Sequence, residues 1–234
     1  MGRSKRVDVG GCVYHVLNRG NGRMTIFEDD ADYQAFERVL EQALERFPQI
    51  QLLSYCVMPN HWHMVVRPLA DGVLSRFVGW VTLTHTQRWH AHRKTIGGGH
   101  VYQGRFKSFL VDTENYLAAV CRYVERNPVR AKLVKRAQQW QWSSLHRWIA
   151  PRKSQKDSQQ AKIILSPWPV PSGRRPPNWL SRVNTPETED ELNALRLSCN
   201  RGQPFGSANW QARVTKKFGL ESTFRSKGRP KKQT

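Results

Sequence analysis

The stretch Met58-Pro59-Asn60-His61-Trp62-His63-Met64-Val65-Val66 places two histidines one residue apart at the head of an apolar run. Such a run predicts a β-strand, and along a strand successive side chains point to opposite faces. His61 and His63 then share one face, with Trp62 and Met64 on the other. Two neighbouring imidazoles can hold one divalent cation between them, or they can simply be polar residues on a solvated face. The pair alone leaves both readings open.

A second constellation lies further along, in Asp112-Thr113-Glu114-Asn115-Tyr116-Leu117-Ala118-Ala119-Val120-Cys121-Arg122-Tyr123-Val124-Glu125-Arg126-Asn127-Pro128. Asp112 or Thr113 can cap a helix here. Pro128 is expected to end it near Asn127, because the residue before a proline is pushed out of the α region. Tyr116, Val120, Tyr123 and Asn127 recur at helical spacing and fall along one face. They can be ordinary core residues, with Asn127 a helix-end residue. Packed on the sheet, the same helix can instead bring the Asn127 amide oxygen to the two imidazoles and hold the Tyr123 phenol beside them, as a metal-assisted tyrosine nucleophile.

The flanking segments supply the rest of a domain. Residues 12–17, 50–57, 61–67 and 105–111 have strand character, with a tight Met58-Pro59-Asn60 turn between the second and third. Residues 30–47 form an amphipathic helix with Tyr33, Phe36, Val39, Leu40, Ala43, Leu44 and Phe47 on one face, and 74–92 form another. Gly97-Gly98-Gly99 marks a loop. The order βαββαβ followed by a helix suits a ferredoxin-like α+β sandwich, an antiparallel sheet with helices on one face. His61 and His63 would lie on a central strand, with the helix carrying Tyr123 packed beside it.

His61-Trp62-His63 followed by Tyr123 and Asn127 resembles the single-tyrosine HUH transposases, named for a His-hydrophobic-His motif, and within them the REP-associated tyrosine transposases (RAYT). The matching blocks are Tyr14-His15-Val16-Leu17-Asn18-Arg19-Gly20, Met58-Pro59-Asn60-His61-Trp62-His63, Gln103-Gly104-Arg105-Phe106-Lys107-Ser108, Tyr123-Val124-Glu125-Arg126-Asn127-Pro128-Val129-Arg130-Ala131 and Trp142-Ser143-Ser144. They occur in family order over residues 6–150, and the likeness beyond is loose.

The resemblance implies a metal-dependent enzyme that cleaves and rejoins single-stranded DNA at hairpins of short palindromic repeats. Tyr123 would be the nucleophile of a 5′-phosphotyrosine link. His61, His63 and the Asn127 side-chain oxygen would ligate Mg²⁺ or Mn²⁺, and no nucleotide cofactor would be needed. Arg19, Arg105 and Lys107 fall in matching blocks and are candidates for DNA-backbone contacts or for structural roles. His15 is expected in the core or behind the ligands rather than among them. Tyr116, on the same helical face as Tyr123, departs from the single-tyrosine pattern. Monomers and homodimers both occur in the family, and no heptad or apolar face here decides between them.

Composition points to the same kind of partner. With 38 Lys and Arg against 18 Asp and Glu, the net charge of +20 surrounds the chain with a positive field suited to a polyanion. The nine tryptophans can stack on unpaired bases, although most in a chain of this size belong to a core. Cys12, Cys56, Cys121 and Cys199 form no Cys-x-x-Cys pair, which argues for structural thiols in a reducing compartment. No apolar run approaches the roughly 20 residues that span a bilayer, and no signal-type stretch follows Met1. The expectation is a cytoplasmic protein that does not enter the membrane.

Domain boundaries follow from composition. Residues 1–150 are expected to form the catalytic domain, and 151–184, with Pro167, Pro169, Pro171, Pro176 and Pro177, a Pro-rich linker or arm. Residues 185–222 are expected to form a small basic helical module. In it Thr185-Pro186-Glu187 starts one helix and Gly202 stops it, and Ser207 and Gly219 bound a second. Residues 223–234 form a basic tail ending Lys227-Gly228-Arg229-Pro230-Lys231-Lys232. This end resembles an AT-hook core, with Arg229 placed for a narrow minor groove, or is a nonspecific basic terminus. From Arg201 onward nine Lys or Arg stand against the single acid Glu221. The extension can gate the site or add DNA contacts.

Other functions stay open. Replication initiators and relaxases share the chemistry but commonly carry larger domains or further histidines. A His-x-His hydrolase would need a nearby carboxylate, which Met64, Val65 and Val66 do not supply. The chain can also be a catalytically silent DNA-binding or regulatory protein that keeps the fold.

Overall fold

A computed structural model describes residues 6–113, 116–149 and 161–225. Its strands are β1 (Val13–Arg19), β2 (Ile50–Met58), β3 (His61–Pro68) and β4 (Lys107–Val111). They form one antiparallel sheet in the order β2-β3-β1-β4. The helices α1 (Asp30–Arg46) and α2 (Val73–Arg93) connect β1 to β2 and β3 to β4. This is the βαββαβ order expected, with the histidine strand in the interior of the sheet.

Strand alternation divides the interior into two cores. Trp62, Met64 and Val66 of β3 join Tyr14, Val16, Tyr55 and Val57 beneath Phe36 and Leu40 of α1 and Phe77 and Val81 of α2. The connecting helices thus share one face, as the ferredoxin-like reading requires. The opposite face is not solvated. Val13 and Leu17 of β1, Val65 of β3 and Phe109 and Val111 of β4 are buried under a second layer. Burial of a strand on both faces explains why 50–58 is nearly continuous in apolar residues rather than alternating.

That second layer comprises α3 (Leu117–Glu125), α5 (Ser144–Ile149), α6 (Trp179–Asn184) and α7 (Glu189–Arg201). Here the helix boundaries depart from expectation. Pro128 does not close the Tyr123 helix. That helix stops at Glu125, Arg126 intervenes, and a separate turn α4 (Asn127–Arg130) carries Pro128 in its first turn. There a proline's missing N–H has no intrahelical acceptor to lose. Asn127 therefore opens a turn rather than ending a helix.

The expected cap at Asp112 or Thr113 is also displaced, since α3 begins at Leu117 and residues 114–115 lie outside the described set. Asp112 instead donates its backbone N–H to Phe205 O at 2.9 Å. Its Oδ2 accepts from Ser207 N at 3.4 Å. Gly206 passes so close to Asp112 and Trp210 that a Cβ there would lie within 2.6 Å of both.

Within the extension, α7 starts after Thr188 rather than Thr185. The Thr188 hydroxyl accepts from Glu191 N while the Glu191 carboxylate accepts from Thr188 N, a reciprocal capping box that outweighs the proline cue. Gly202 ends it as expected. The last helix, α8 (Ala208–Phe218), has the Ser207 cap and Gly219 stop predicted for it. Arg229 and the Gly-Arg-Pro core lie outside the described residues. All four cysteines are free thiols. Among the described residues no helix is long and apolar enough to cross a membrane.

A single buried carboxylate ties the second layer together. Glu125, fully inaccessible, accepts from Arg175 Nη1 at 2.7 Å, Trp179 Nε1 at 2.8 Å, Ser144 Oγ at 2.5 Å and Ser54 Oγ at 3.2 Å. Arg175 is itself ringed by Trp148, Trp168 and Trp179 at 5.3 to 5.6 Å. Removing the carboxylate would leave a buried guanidinium without its ion-pair partner. Glu125→Ala is expected to destabilise the chain by about 3–5 kcal/mol. Urea unfolding of wild type and variant measures this, and a loss within about 1 kcal/mol, the range of an exposed pair, would contradict it.

Candidate active site on the second face of the sheet

The two-residue period of β3 carries His61 and His63 onto the face that α3 covers, and their rings meet edge-to-face at 4.9 Å. Each has its Nδ1 engaged. His61 Nδ1 lies 2.6 Å from Asn60 Oδ1, and His63 Nδ1 lies 2.9 Å from Nε2 of His15 on β1. Nε2 is therefore the nitrogen that each ring has available for a ligand.

Tyr123 approaches from α3, with its ring edge-on to His63 at 6.0 Å and to His15 at 6.3 Å between centroids. It is 8 % exposed. Its hydroxyl faces the Cys199 side chain on α7. Arg130, from α4, lies over the Tyr123 ring at 4.1 Å and donates to the Tyr123 carbonyl at 3.3 Å. Asn127 follows Tyr123 by one helical turn and is buried, with Nδ2 lacking a hydrogen-bond partner among the described residues. Tyr116 belongs elsewhere: it precedes α3, and its ring packs edge-on against Phe205 at 5.3 Å.

Strand register sets the basic rim. Arg19 of β1 pairs opposite His61, and Lys107 of β4 pairs opposite Leu17. Both carry odd positions on the histidine face. Arg105 sits in the loop before β4 and, with Arg6, Arg19 and Lys107, lines a cleft of about 390 Å³. Thus the structure gathers the candidate histidines, Tyr123, Arg19 and Lys107 on one face, with Arg105 at its margin.

Other parts of the site were not singled out by sequence reasoning. Arg130 stood inside a matching block without a role, although its position seven residues after Tyr123 puts it two helical turns on, where it can reach back. Cys199 and Glu187 come from the extension, where nothing in the local pattern links them to Tyr123. Glu187 accepts from Arg130 at 3.2 Å and lies 3.7 Å from Arg126, while Glu191 accepts from Arg122 at 2.7 Å. These pairs fasten α7 and the chain just before it over α3 and α4.

Burial governs the ionisation of the site. It pulls His15 and His61 down to about 3, with Arg19 and Arg130 adding to the effect at His61. It takes His63 well below the ordinary imidazole value, helped by His61, His15 and both arginines. Neutral imidazole is the form in which a histidine can ligate a cation. Burial pushes the Tyr123 phenol up, against the opposing pull of Arg130.

The candidate donors are of a chemical type that suits a divalent ion in an open site. They are two neutral imidazole nitrogens and, one helical turn from Tyr123, the buried Asn127 amide, with no thiolate. Among the described residues no cluster of three His, Cys, Asp or Glu forms a closed cage. Nitrogen and amide-oxygen donors that leave positions free are unlike a structural zinc site.

Comparison with known proteins bears on the family and the fold. The family model for IS200-like transposases matches residues 8–127. A Haemophilus influenzae protein named as a REP-associated tyrosine transposase is 23% identical over 120 residues, which is 48% of this chain and 68% of that protein. A solved REP-associated tyrosine transposase bound to a REP hairpin superposes with a TM-score of 0.52 at 20% identity, covering 70% of this chain and 99% of the other.

The depressed imidazoles make stability depend on pH with a definite sign. In the unfolded chain the histidines take up protons below about pH 6.5, whereas in the fold His15, His61 and the buried His85 of α2, away from this site, resist until about pH 3. The folded state therefore keeps its full stability above pH 6.5 and loses it as pH falls through that window, by up to about 1.4 kcal/mol per unit for each such histidine. Urea midpoints are expected to drop between pH 7.5 and 5, and a flat profile would show that these imidazoles titrate normally.

Proposed function

Because the chain belongs to the IS200-like transposase family, we propose that it cleaves and rejoins single-stranded DNA at hairpin-forming palindromic repeats. In this reading Tyr123 is the nucleophile, and His61, His63 and the Asn127 oxygen hold Mg²⁺ or Mn²⁺. The observation that carries the proposal is the Tyr123 ring set edge-on to His63 beside a neutral histidine pair. That the similar solved protein is bound to a REP hairpin supports hairpin DNA as the substrate class.

The phenol oxygen would attack the scissile phosphorus, giving up its proton as the P–O bond forms. The 3′-oxygen leaves with the electron pair of the broken bond and becomes a 3′-hydroxyl. The product is a 5′-phosphotyrosine that conserves the phosphodiester, so another 3′-hydroxyl can reverse the step and join strands without a nucleotide cofactor. When bound, the divalent ion would polarise the phosphate and offset charge on the leaving oxygen.

This chain's own side chains do the rest. Arg130, over the Tyr123 ring, opposes the rise that burial imposes on the phenol and favours the attacking oxyanion. Arg19 and Lys107 border the histidines where backbone phosphates would pass, with Arg105 at the cleft and Arg229 in the basic tail as further contacts. Since the Cys199 side chain of α7 faces the Tyr123 hydroxyl, the incoming strand would have to pass that residue.

The test uses labelled single-stranded hairpins drawn from the sequence flanking the chain's own gene, incubated with Mg²⁺, Mn²⁺ or chelator. A denaturation-resistant adduct is expected with metal, absent with chelator and in Tyr123→Phe, and retained in Tyr116→Phe. Binding without an adduct under every condition would favour a silent DNA-binding protein, and loss of the adduct in Tyr116→Phe alone would reassign the nucleophile. Arg19→Ala and Lys107→Ala are each expected to weaken hairpin binding across sequences and to reduce the slope of log affinity against log salt by about 1. An unchanged slope would remove that residue from the DNA interface.

A further inference from the structure

His15 is wholly inaccessible and lies at the centre of the sheet, on a strand the catalytic chemistry otherwise uses only at Arg19. Its Nε2 meets His63 Nδ1 at 2.9 Å, with the rings 5.0 Å apart and inclined by 31°. The contact arises from register. Leu17 pairs opposite His63, so His15, two residues back on the same face, is the diagonal neighbour of His63. Phe109 of β4 closes on His15 at 4.7 Å from the other side and holds the ring in place. The remaining nitrogen, His15 Nδ1, is buried and has no hydrogen-bond partner among the described residues.

Two neutral imidazoles joined by one hydrogen bond have only two arrangements, since each ring carries a single proton. In one, His15 Nε2–H donates to a bare His63 Nδ1, and His63 then carries its proton on Nε2, where it blocks a cation. In the other, His63 Nδ1–H donates to a bare His15 Nε2. His63 Nε2 is then an open lone pair, and the His15 proton sits on the orphaned Nδ1. The pair holds two N–H protons in both, so exchange between them moves protons without gaining or losing any. Only the second arrangement is competent to ligate. His15 itself is no ligand in it, because its Nε2 lone pair is occupied by His63.

We propose that His15 is a positioning residue that acts through His63: it accepts the His63 Nδ1–H bond and thereby orients the ring and presents Nε2 to the divalent cation. The inference rests on the reading that the His61–His63 pair holds such an ion. It assigns to the first strand the supporting role that carboxylates or backbone carbonyls usually play behind a metal-bound imidazole. Here a neutral ring takes that role inside an apolar layer. An ionised carboxylate at this depth would need further partners, and the surrounding Val13, Leu17, Phe109 and Val65 offer none.

Mn²⁺ titration calorimetry of the full chain without DNA tests this, comparing wild type with His15→Leu, His15→Gln and His61→Ala. His15→Leu keeps an apolar volume but removes the acceptor, and is expected to weaken Mn²⁺ binding about 10–100-fold. His15→Gln, whose carbonyl can accept the same bond, is expected to stay within about threefold of wild type, a loss well below that range. Equal binding by wild type and His15→Leu, or equal losses in His15→Leu and His15→Gln, would overturn the proposal.

Should His15→Leu fail to fold, nitrogen-15 histidine spectra of the wild-type chain loaded with diamagnetic Zn²⁺ decide the matter. His63 protonated at Nδ1 and bonded to His15 Nε2 is expected, and a bare Nδ1 overturns the assignment. His61→Ala separates the two levels of inference. If it abolishes Mn²⁺ binding while His15→Leu does not, the metal pair stands and the role of His15 falls. If wild type binds no Mn²⁺, both fall.

Discussion

The constraint on which the rest of the structure depends is the two-residue alternation of a strand buried on both faces. On β3 it sends Trp62, Met64 and Val66 into the core beneath α1 and α2, and His61, His63 and Val65 into the opposite layer. A slip of one residue would exchange the two sets and bury the histidines among the aromatic rings of the first core. The same alternation on β1 and β4 brings His15, Arg19 and Lys107 to the histidine face. One periodicity therefore supplies the two candidate histidines, the residue behind one of them and two cations at the margin.

Covering that face changes its chemistry as well as its shape. Away from water the imidazoles stay neutral and the tyrosine stays protonated, because each charged form would lose hydration that the apolar layer cannot replace. Arg130 shows why positive charge near the tyrosine is useful, since it is a charge that opposes the penalty of burial on the phenol.

The cover is shared between α3, α5 and residues after 160. Glu125 holds Arg175 and Trp179 to α3, and Glu187 and Glu191 pair with Arg126, Arg130 and Arg122. These acids come from a chain with few of them, and the partners of Glu187 and Glu191 lie on α3, on α4 or at Arg126 between them. The extension is thus joined to the candidate site by charge pairs as well as by packing. Its Cys199 makes the contact nearest to the chemistry.

Sequence by itself determined the parts of this protein that obey local rules. The period-two run after Asn60 made a strand, the period near 3.6 in 30–47 made a helix, and Ser207 and Gly219 bounded α8 through its cap and stop. His61-Trp62-His63 with Tyr123 and Asn127 carried the family resemblance. Where two local cues competed, the pattern did not show which would win. Pro128 opens a turn instead of ending a helix, and the Thr188 capping box displaces a start at Thr185. Only tertiary structure decided the rest. That a sheet's second face is covered, that His15 lies diagonal to His63, and that Cys199 and Glu187 reach Tyr123 and Arg130 are matters of register and of contacts between distant segments. Spacing along a chain carries no record of such contacts, because they are selected by the summed burial of the whole second layer rather than by any one segment.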